Sequence, residues 1–122
     1  MDFNSSVPIY LQLMNDIKLQ IVSGQLQPGE KLASVRDLAM HYEVNPNTMQ
    51  KALAELERMG QRTIGRFVTI ETDRIQSLRQ KMANEHLDAL VKALSSMGYS
   101  NNEIIELIKT FLEGKANVNT TT

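Results

Sequence analysis

Ser34-Val35-Arg36-Asp37-Leu38-Ala39-Met40-His41-Tyr42-Glu43-Val44-Asn45-Pro46-Asn47-Thr48-Met49-Gln50-Lys51-Ala52-Leu53-Ala54-Glu55-Leu56 reads as two helices joined by a very short turn. Ser34 is a natural N-cap, with Asp37 three positions on in the style of a capping box. Val35, Leu38, Ala39 and Tyr42 fall on one face of the first helix, while Arg36 and Asp37 point elsewhere. Glu43-Val44-Asn45 forms the connection. Asn45 then caps a second helix with Pro46 at its first position, where a missing N–H costs nothing. Met49, Ala52, Leu53, Leu56 and Met59 make its apolar face, and Gly60 stops it. Two short helices in this order, the second opening on polar residues, form a helix-turn-helix pattern.

Upstream, Ile9, Leu13, Ile17 and Ile21 recur every four residues after Pro8, with Tyr10, Met14 and Val22 widening the stripe. That spacing predicts an amphipathic helix of about four turns, ended by Gly24 as a left-handed cap. Pro28-Gly29 marks a turn before Ser34. Downstream, Arg62-Thr63-Ile64-Gly65-Arg66-Phe67-Val68-Thr69-Ile70 turns β-branched and aromatic around a glycine, which predicts a small hairpin. Thr72-Asp73 caps a long helix carrying Ile75, Leu78, Met82, Leu87, Leu90, Val91, Leu94 and Met97, ended by Gly98. Ser100 opens a last helix with Ile104, Ile105, Leu107, Ile108, Phe111 and Leu112. The expected organisation is a DNA-binding domain over 1–71, a helical dimerisation region over 72–116 and a disordered polar tail over 117–122. The fold class is mainly α with a small β-wing: a winged helix-turn-helix followed by a two-helix unit.

Composition narrows the chemistry. The 122 residues include no cysteine, which excludes disulfides, cysteine-ligated zinc and thiol catalysis. Aromatic residues are 5% with no Trp, against seven Met, a balance suited to a helical core. No apolar run reaches membrane-spanning length, and Met1-Asp2-Phe3-Asn4-Ser5-Ser6 lacks a signal peptide's basic, apolar start, so a cytoplasmic protein with no membrane partner is expected. The two histidines, His41 and His86, lie far apart, and no nucleophile–base constellation or Gly-rich phosphate loop is present, so no enzyme activity or cofactor is expected. Glu85-His86 with Glu103 or Glu106 is the one conceivable metal set, and solvated side chains are the better reading, so no metal is expected.

Net charge is −1, with seven basic and eight acidic residues up to position 71, which argues against a general nucleic-acid coat. Any DNA contact therefore rests on a few placed groups. Asn47, Thr48, Gln50 and Lys51 sit at or beside the exposed start of the second helix of the pair. There Asn and Gln side chains suit adenine edges, Lys suits guanine or phosphate, and the helix terminus favours an anion. A capped surface helix accounts for Asn45 and Pro46 equally well. Arg36 near a helix start opposes that helix's own dipole and points to an external anion, unless Asp37 or Glu30 pairs with it. Arg62 and Arg66 flank Thr63 and Gly65 at a tip suited to a phosphate or minor-groove edge, or are simply solvated.

Order and spacing carry a resemblance. Pro8-Ile9-Tyr10 with Leu13, Ile17, Ile21 and Gly24, then Leu26-Gln27-Pro28-Gly29-Glu30-Lys31-Leu32-Ala33-Ser34-Val35-Arg36-Asp37-Leu38-Ala39, then Val44-Asn45-Pro46-Asn47-Thr48, then Ala52-Leu53-Leu56-Glu57 and Gly60, resemble the N-terminal domain of the GntR family of bacterial regulators. The short two-helix remainder resembles the YtrA-like subfamily. The resemblance implies DNA contacts at Ser34, Arg36, Asn45, Asn47, Thr48, Gln50 and Lys51, and on the wing at Thr63, Gly65 and Arg66. Ala33 replaces the family's usual Pro, and Gln61–Ile64 is shorter than the family's strand before the wing tip. Either the wing is truncated or residues are missing from that stretch, and the second reading is the one favoured.

A lone helix pair has too little surface to bury both its faces, so Leu87, Leu90, Val91, Leu94, Ile108 and Phe111 are expected to meet a second copy, as the resemblance also implies. The expectation is a homodimeric, sequence-specific DNA-binding regulator, a repressor at a (pseudo)palindromic operator of double-stranded DNA, with any small-molecule effector left open. The competing reading is a dimeric protein-interaction module that has lost DNA binding. Salt-dependent binding to DNA separates the two.

Overall fold

The computed structural model describes residues 1–59, 62–63 and 67–121, with the backbone alone for 62–63 and 116–121. Helix α1, Ile9–Val22, follows directly on Pro8. Leu13, Met14, Ile17 and Ile21 are its buried residues, whereas Ile9 is 43% exposed. The fully buried stripe thus begins one turn later than the four-residue periodicity predicts, and at the helix start Tyr10 rather than Ile9 packs against the core. Gly24, at φ +85°, ends the helix as expected.

Helices α2, Val35–Tyr42, and α3, Pro46–Arg58, form the helix-turn-helix. Ser34 Oγ accepts the Asp37 N–H at 3.1 Å, and Asn45 Oδ1 accepts the Asn47 N–H at 2.7 Å, so both expected caps form. The turn between the helices passes through Glu43 at φ 57° and ψ 48°, a left-handed conformation usually left to Gly or Asn. That position carries a local backbone cost of order 1 kcal/mol, which the surrounding packing must offset. The core gathers α1, α2 and α3 around Leu13, Met49, Leu53 and Leu56, with Tyr10, Val35, Leu38, Val44 and Met59 packed against it.

The wing pairs β1, Arg62–Thr63, antiparallel with β2, Phe67–Val68, with Arg62 opposite Val68 and Thr63 opposite Phe67. The loop before α2 adds a third line of backbone pairing. The Gly29 N–H donates to Val68 O at 3.0 Å, the Val68 N–H donates to Glu30 O at 2.8 Å, and Lys31 bridges Phe67. Buried Val68 thereby ties the wing to the helices. Gly29 is required there: its φ is +80°, and a Cβ would come within 3.3 Å of Ile70 Cγ2.

Helix α4 covers Thr72–Ser96 and α5 covers Asn101–Thr121. Gly98, at φ +97°, turns the chain between them. Ser100 and Glu103 form a reciprocal capping box: Ser100 Oγ accepts the Glu103 N–H at 3.2 Å, and Glu103 Oε1 accepts the Ser100 N–H at 2.9 Å. These bonds, chiefly the one from the Ser100 backbone, hold the Glu103 carboxyl below its usual range. The chain divides into two compact units, Met1–Gln80 and Lys81–Thr122. The division falls inside α4 rather than at residue 71, because Ile75 packs against the winged core and Leu78 is buried. Helical backbone also continues through 117–121, where composition predicts a disordered tail. Thr122 lies outside the described residues.

One polar network ties α1 to α2. Tyr42 Oη donates to Asp16 Oδ2 at 2.6 Å, and Gln20 Nε2 donates to Tyr42 Oη at 2.9 Å and to Asp16 Oδ2 at 3.0 Å. Burial, then the hydrogen bond and charge of Asp16, push the Tyr42 phenol up to about 12. Its folded value exceeds the ordinary 10.0, so the folded state holds the proton more tightly than the unfolded chain. The contribution is fully present below about pH 10 and is lost as pH rises toward 12. Tyr42→Phe is expected to lower stability at neutral pH by about 1–2 kcal/mol and to flatten the alkaline loss between pH 10 and 12, as measured by urea melts across that range.

Candidate nucleic-acid interface

The orientation of α3 follows from its buried side. Met49, Ala52, Leu53 and Leu56 are 0–1% exposed, so the helix has one way to face the core. Asn47, Gln50, Lys51 and Ala54, at spacings of three and four, then lie together on the solvent side, and all are exposed. Thr48 stands half-buried at the edge of this face. Pro46 and the cap on Asn45 leave the helix start open to solvent.

Ser34 and Asn45 are both turned to capping. Each uses a side-chain oxygen on its own helix, which leaves the Ser34 hydroxyl proton and the Asn45 amide N–H groups for other partners. Arg36 is exposed at the second position of α2, and among the described residues it forms no ion pair. Neither candidate partner takes it up: Glu30 Oε1 instead accepts the Gln27 N–H at 3.0 Å. A cation beside the positive end of its own helix is held there against a few tenths to about 1 kcal/mol of repulsion.

The structure thus brings Asn47, Gln50 and Lys51 onto one face and leaves Arg36 exposed and unpaired among the described residues. On the wing, the Thr63 backbone pairs with Phe67, while the side chains of Arg62 and Thr63, and all of Gly65 and Arg66, lie outside the described residues. One contact has no counterpart in the sequence reading. The Lys51 ammonium sits 4.0 Å from the centroid of the Tyr10 ring on α1. The only trace of it in the sequence is Tyr10 at the edge of the α1 stripe.

Charge is divided along α3. From Asn45 to Lys51 the one charged residue is Lys51, whereas Glu55, Glu57 and Arg58 fall on the last turns. Glu55 Oε2 is bonded to Arg58 Nη2 at 2.8 Å, so part of the acidic balance is cancelled away from the helix start. Among the described residues no group of three or more His, Asp or Glu could hold a metal ion, and no helix is long and apolar enough to cross a membrane.

Residues 9–63 match the sequence profile of the gntR family of bacterial regulatory proteins. Over 116 residues the chain is 40% identical to the HTH-type transcriptional regulator YhcF of Bacillus subtilis (strain 168), a match covering 92% of this chain and 96% of YhcF. It is 49% identical over 59 residues to the HTH-type transcriptional repressor YtrA of the same organism, spanning 48% of this chain and 45% of YtrA. A solved GntR family transcriptional regulator from Listeria monocytogenes superposes with a TM-score of 0.82 at 37% identity, covering 88% of this chain and 98% of that one. These are transcription regulators, not enzymes. A winged helix-turn-helix with a two-helix extension, matched along nearly its whole length by YhcF, places this chain in the gntR family as a transcriptional regulator with a DNA-binding helix-turn-helix.

Proposed function

We propose that the protein is a cytoplasmic repressor that binds a (pseudo)palindromic operator as a homodimer. The observation that carries this reading is the exposed Asn47–Gln50–Lys51 face of α3, set opposite a face that is wholly buried. With that face in the major groove, the Asn47 and Gln50 amides reach base edges, where a bidentate amide recognises adenine. Lys51 and Arg36 hold phosphates on either side, and Ser34, Asn45 and Thr48 supply polar hydrogens to the backbone. Thr63, Gly65 and Arg66 bring the wing to an adjacent phosphate or minor-groove edge. The name of the relative YtrA, a transcriptional repressor, supports negative control, in which the bound dimer occupies promoter DNA.

The dimer reading rests on the second unit. Leu87, Leu90 and Val91 on α4 are 52%, 42% and 38% exposed, and Phe111 on α5 is 63% exposed. Leu94 and Ile108 are half-buried beside them. Positions 87, 90, 91 and 94 form one helical stripe, and a second copy is the natural cover for it. Two recognition helices then meet half-sites about one helical turn, or a multiple of it, apart. Footprinting on the gene's own upstream region, repeated across salt concentrations, tests the whole reading. Two protected half-sites with salt-dependent affinity are expected, and absence of protection overturns it.

Roles within the face are separable. Asn47→Ala and Gln50→Ala are each expected to cost about 1–3 kcal/mol on the operator but little on scrambled DNA. Lys51→Ala should weaken binding to both duplexes alike and reduce the salt slope by about one. Arg36→Ala should weaken operator binding by about 1–3 kcal/mol with the fold intact. Anisotropy titrations on the two duplexes check all four variants.

For the dimer, the double variant Leu90→Glu/Leu94→Glu places unpaired charge in the seam, at a cost of several kcal/mol. Sedimentation should show a wild-type dimer and a variant monomer, with tight operator binding lost alongside, because each winged unit alone reads one half-site. A variant monomer that binds the full operator as tightly as the wild type would contradict this architecture.

A further inference from the structure

Lys51 carries the only charge on the first two turns of α3, and its ammonium rests on an aromatic face rather than beside a carboxylate. The ring belongs to Tyr10, the second residue of α1, half-buried and packed against the winged core. At 4.0 Å from the ring centroid the contact lies well inside the roughly 6 Å range of cation–π attraction. Among the described residues Lys51 forms no ion pair, and the carboxylate one helical turn on, Glu55, is bonded to Arg58.

An aromatic face suits a lysine that must remain available. A carboxylate would neutralise the ammonium and occupy its donors. A ring attracts the charge on one side and leaves the remaining N–H groups free for an incoming oxygen. It also confines a flexible four-carbon stem that would otherwise sample many rotamers. We propose that Tyr10 is a positioning residue that seats the Lys51 ammonium beside the start of α3, ready for one backbone phosphate of bound DNA. This rests on the reading of α3 as the groove-facing helix. It gives α1, which presents no residue to the bases, a part in setting affinity. The tyrosine hydroxyl has no role in the seat, so phenylalanine should serve as well.

The test uses the full-length protein as wild type, Tyr10→Phe, Tyr10→Leu, Lys51→Ala and the double variant Tyr10→Leu/Lys51→Ala. The probes are a duplex from the gene's own upstream region and a scrambled duplex of equal length, each titrated at several salt concentrations. Tyr10→Leu is expected to weaken both duplexes by roughly two- to fivefold and to lower the salt slope toward that of Lys51→Ala. Tyr10→Phe should match the wild type. In the Lys51→Ala background Tyr10→Leu should have no further effect, because its route to the DNA is already gone. An equal loss in that background would mean that Tyr10 acts through the fold alone and overturns the proposal. Tighter binding by Tyr10→Leu would also overturn it, since the ring would then be withholding Lys51 from DNA. So would a Lys51→Ala protein as tight as the wild type, a result that leaves the regulator reading standing. A wild type with no salt-dependent binding to either duplex would overturn both readings together.

Discussion

The burial of one face of α3 against the core is the constraint on which the rest of the molecule depends. Met49, Ala52, Leu53 and Leu56 are almost completely removed from solvent, and each buried large side chain contributes about 1.5–3 kcal/mol. Rotating the helix by one residue, about 100°, would carry Gln50 toward the core and Met49 toward water. The direction of Asn47, Gln50 and Lys51 is therefore set by the same energy that folds the domain. A recognition surface on a loop would have no such reference. Here the side chains that would discriminate between bases stand on a rigid element whose register cannot slip without unfolding its own core.

A net charge of −1 is an awkward property for a protein that meets polyphosphate, and several of the acids are engaged by neighbouring donors. Asp16 is held by Tyr42 and Gln20, Glu30 by the Gln27 N–H, Glu55 by Arg58, and Glu71 by Arg74 at 2.6 Å. These four carboxylates are each engaged with a donor inside their own unit. Arg36 and Lys51, by contrast, form no ion pair among the described residues. The surface pairs add little stability, since exposed ion pairs are worth roughly 0–1 kcal/mol. Their effect is to offset acidic charge locally while Arg36 and Lys51 stay outside any ion pair among the described residues. With few cations, binding to arbitrary DNA would be weak and its salt slope shallow, so discrimination would fall to the amides.

The parts of the fold legible in the sequence are those written in local chemistry. Pro8, Ser34, Asn45-Pro46, Gly24 and Gly98 act on their own neighbours, and each marks a helix end in the structure. Asn47, Thr48, Gln50 and Lys51 are legible as the open start of the helix because its caps and apolar stripe fix the opposite side, whereas the half-burial of Thr48 is not. Contacts between distant segments were not. The pairing of Gly29 and Glu30 with Val68 joins residues nearly forty positions apart and needs only backbone groups, which leave no side-chain signature. Tyr10 meets Lys51 because α1 packs on α3, a relation no periodicity encodes. The unit division within α4 has the same origin, since nothing local distinguishes Ile75, packed on the winged core, and buried Leu78 from Leu87 and Leu90 further along.

The second unit has a thermodynamic weakness that bears on how such a regulator would respond. Among its described residues Ile104, 4% exposed, is the only buried apolar side chain, while nine large ones stand open to water. Most of a helix's stability in a protein comes from packing of its apolar face, and so small a core offers little to offset the entropy of ordering these two. On the dimer reading, a second copy supplies the missing apolar burial, and ordering of this unit and association become one linked event. Stability of the seam then rises with protein concentration by mass action. Operator occupancy on that reading would depend on two half-sites being filled together, so it would inherit that dependence and steepen with it. A change in the amount of protein in the cell would act on repression through this seam, without any ligand pocket being required.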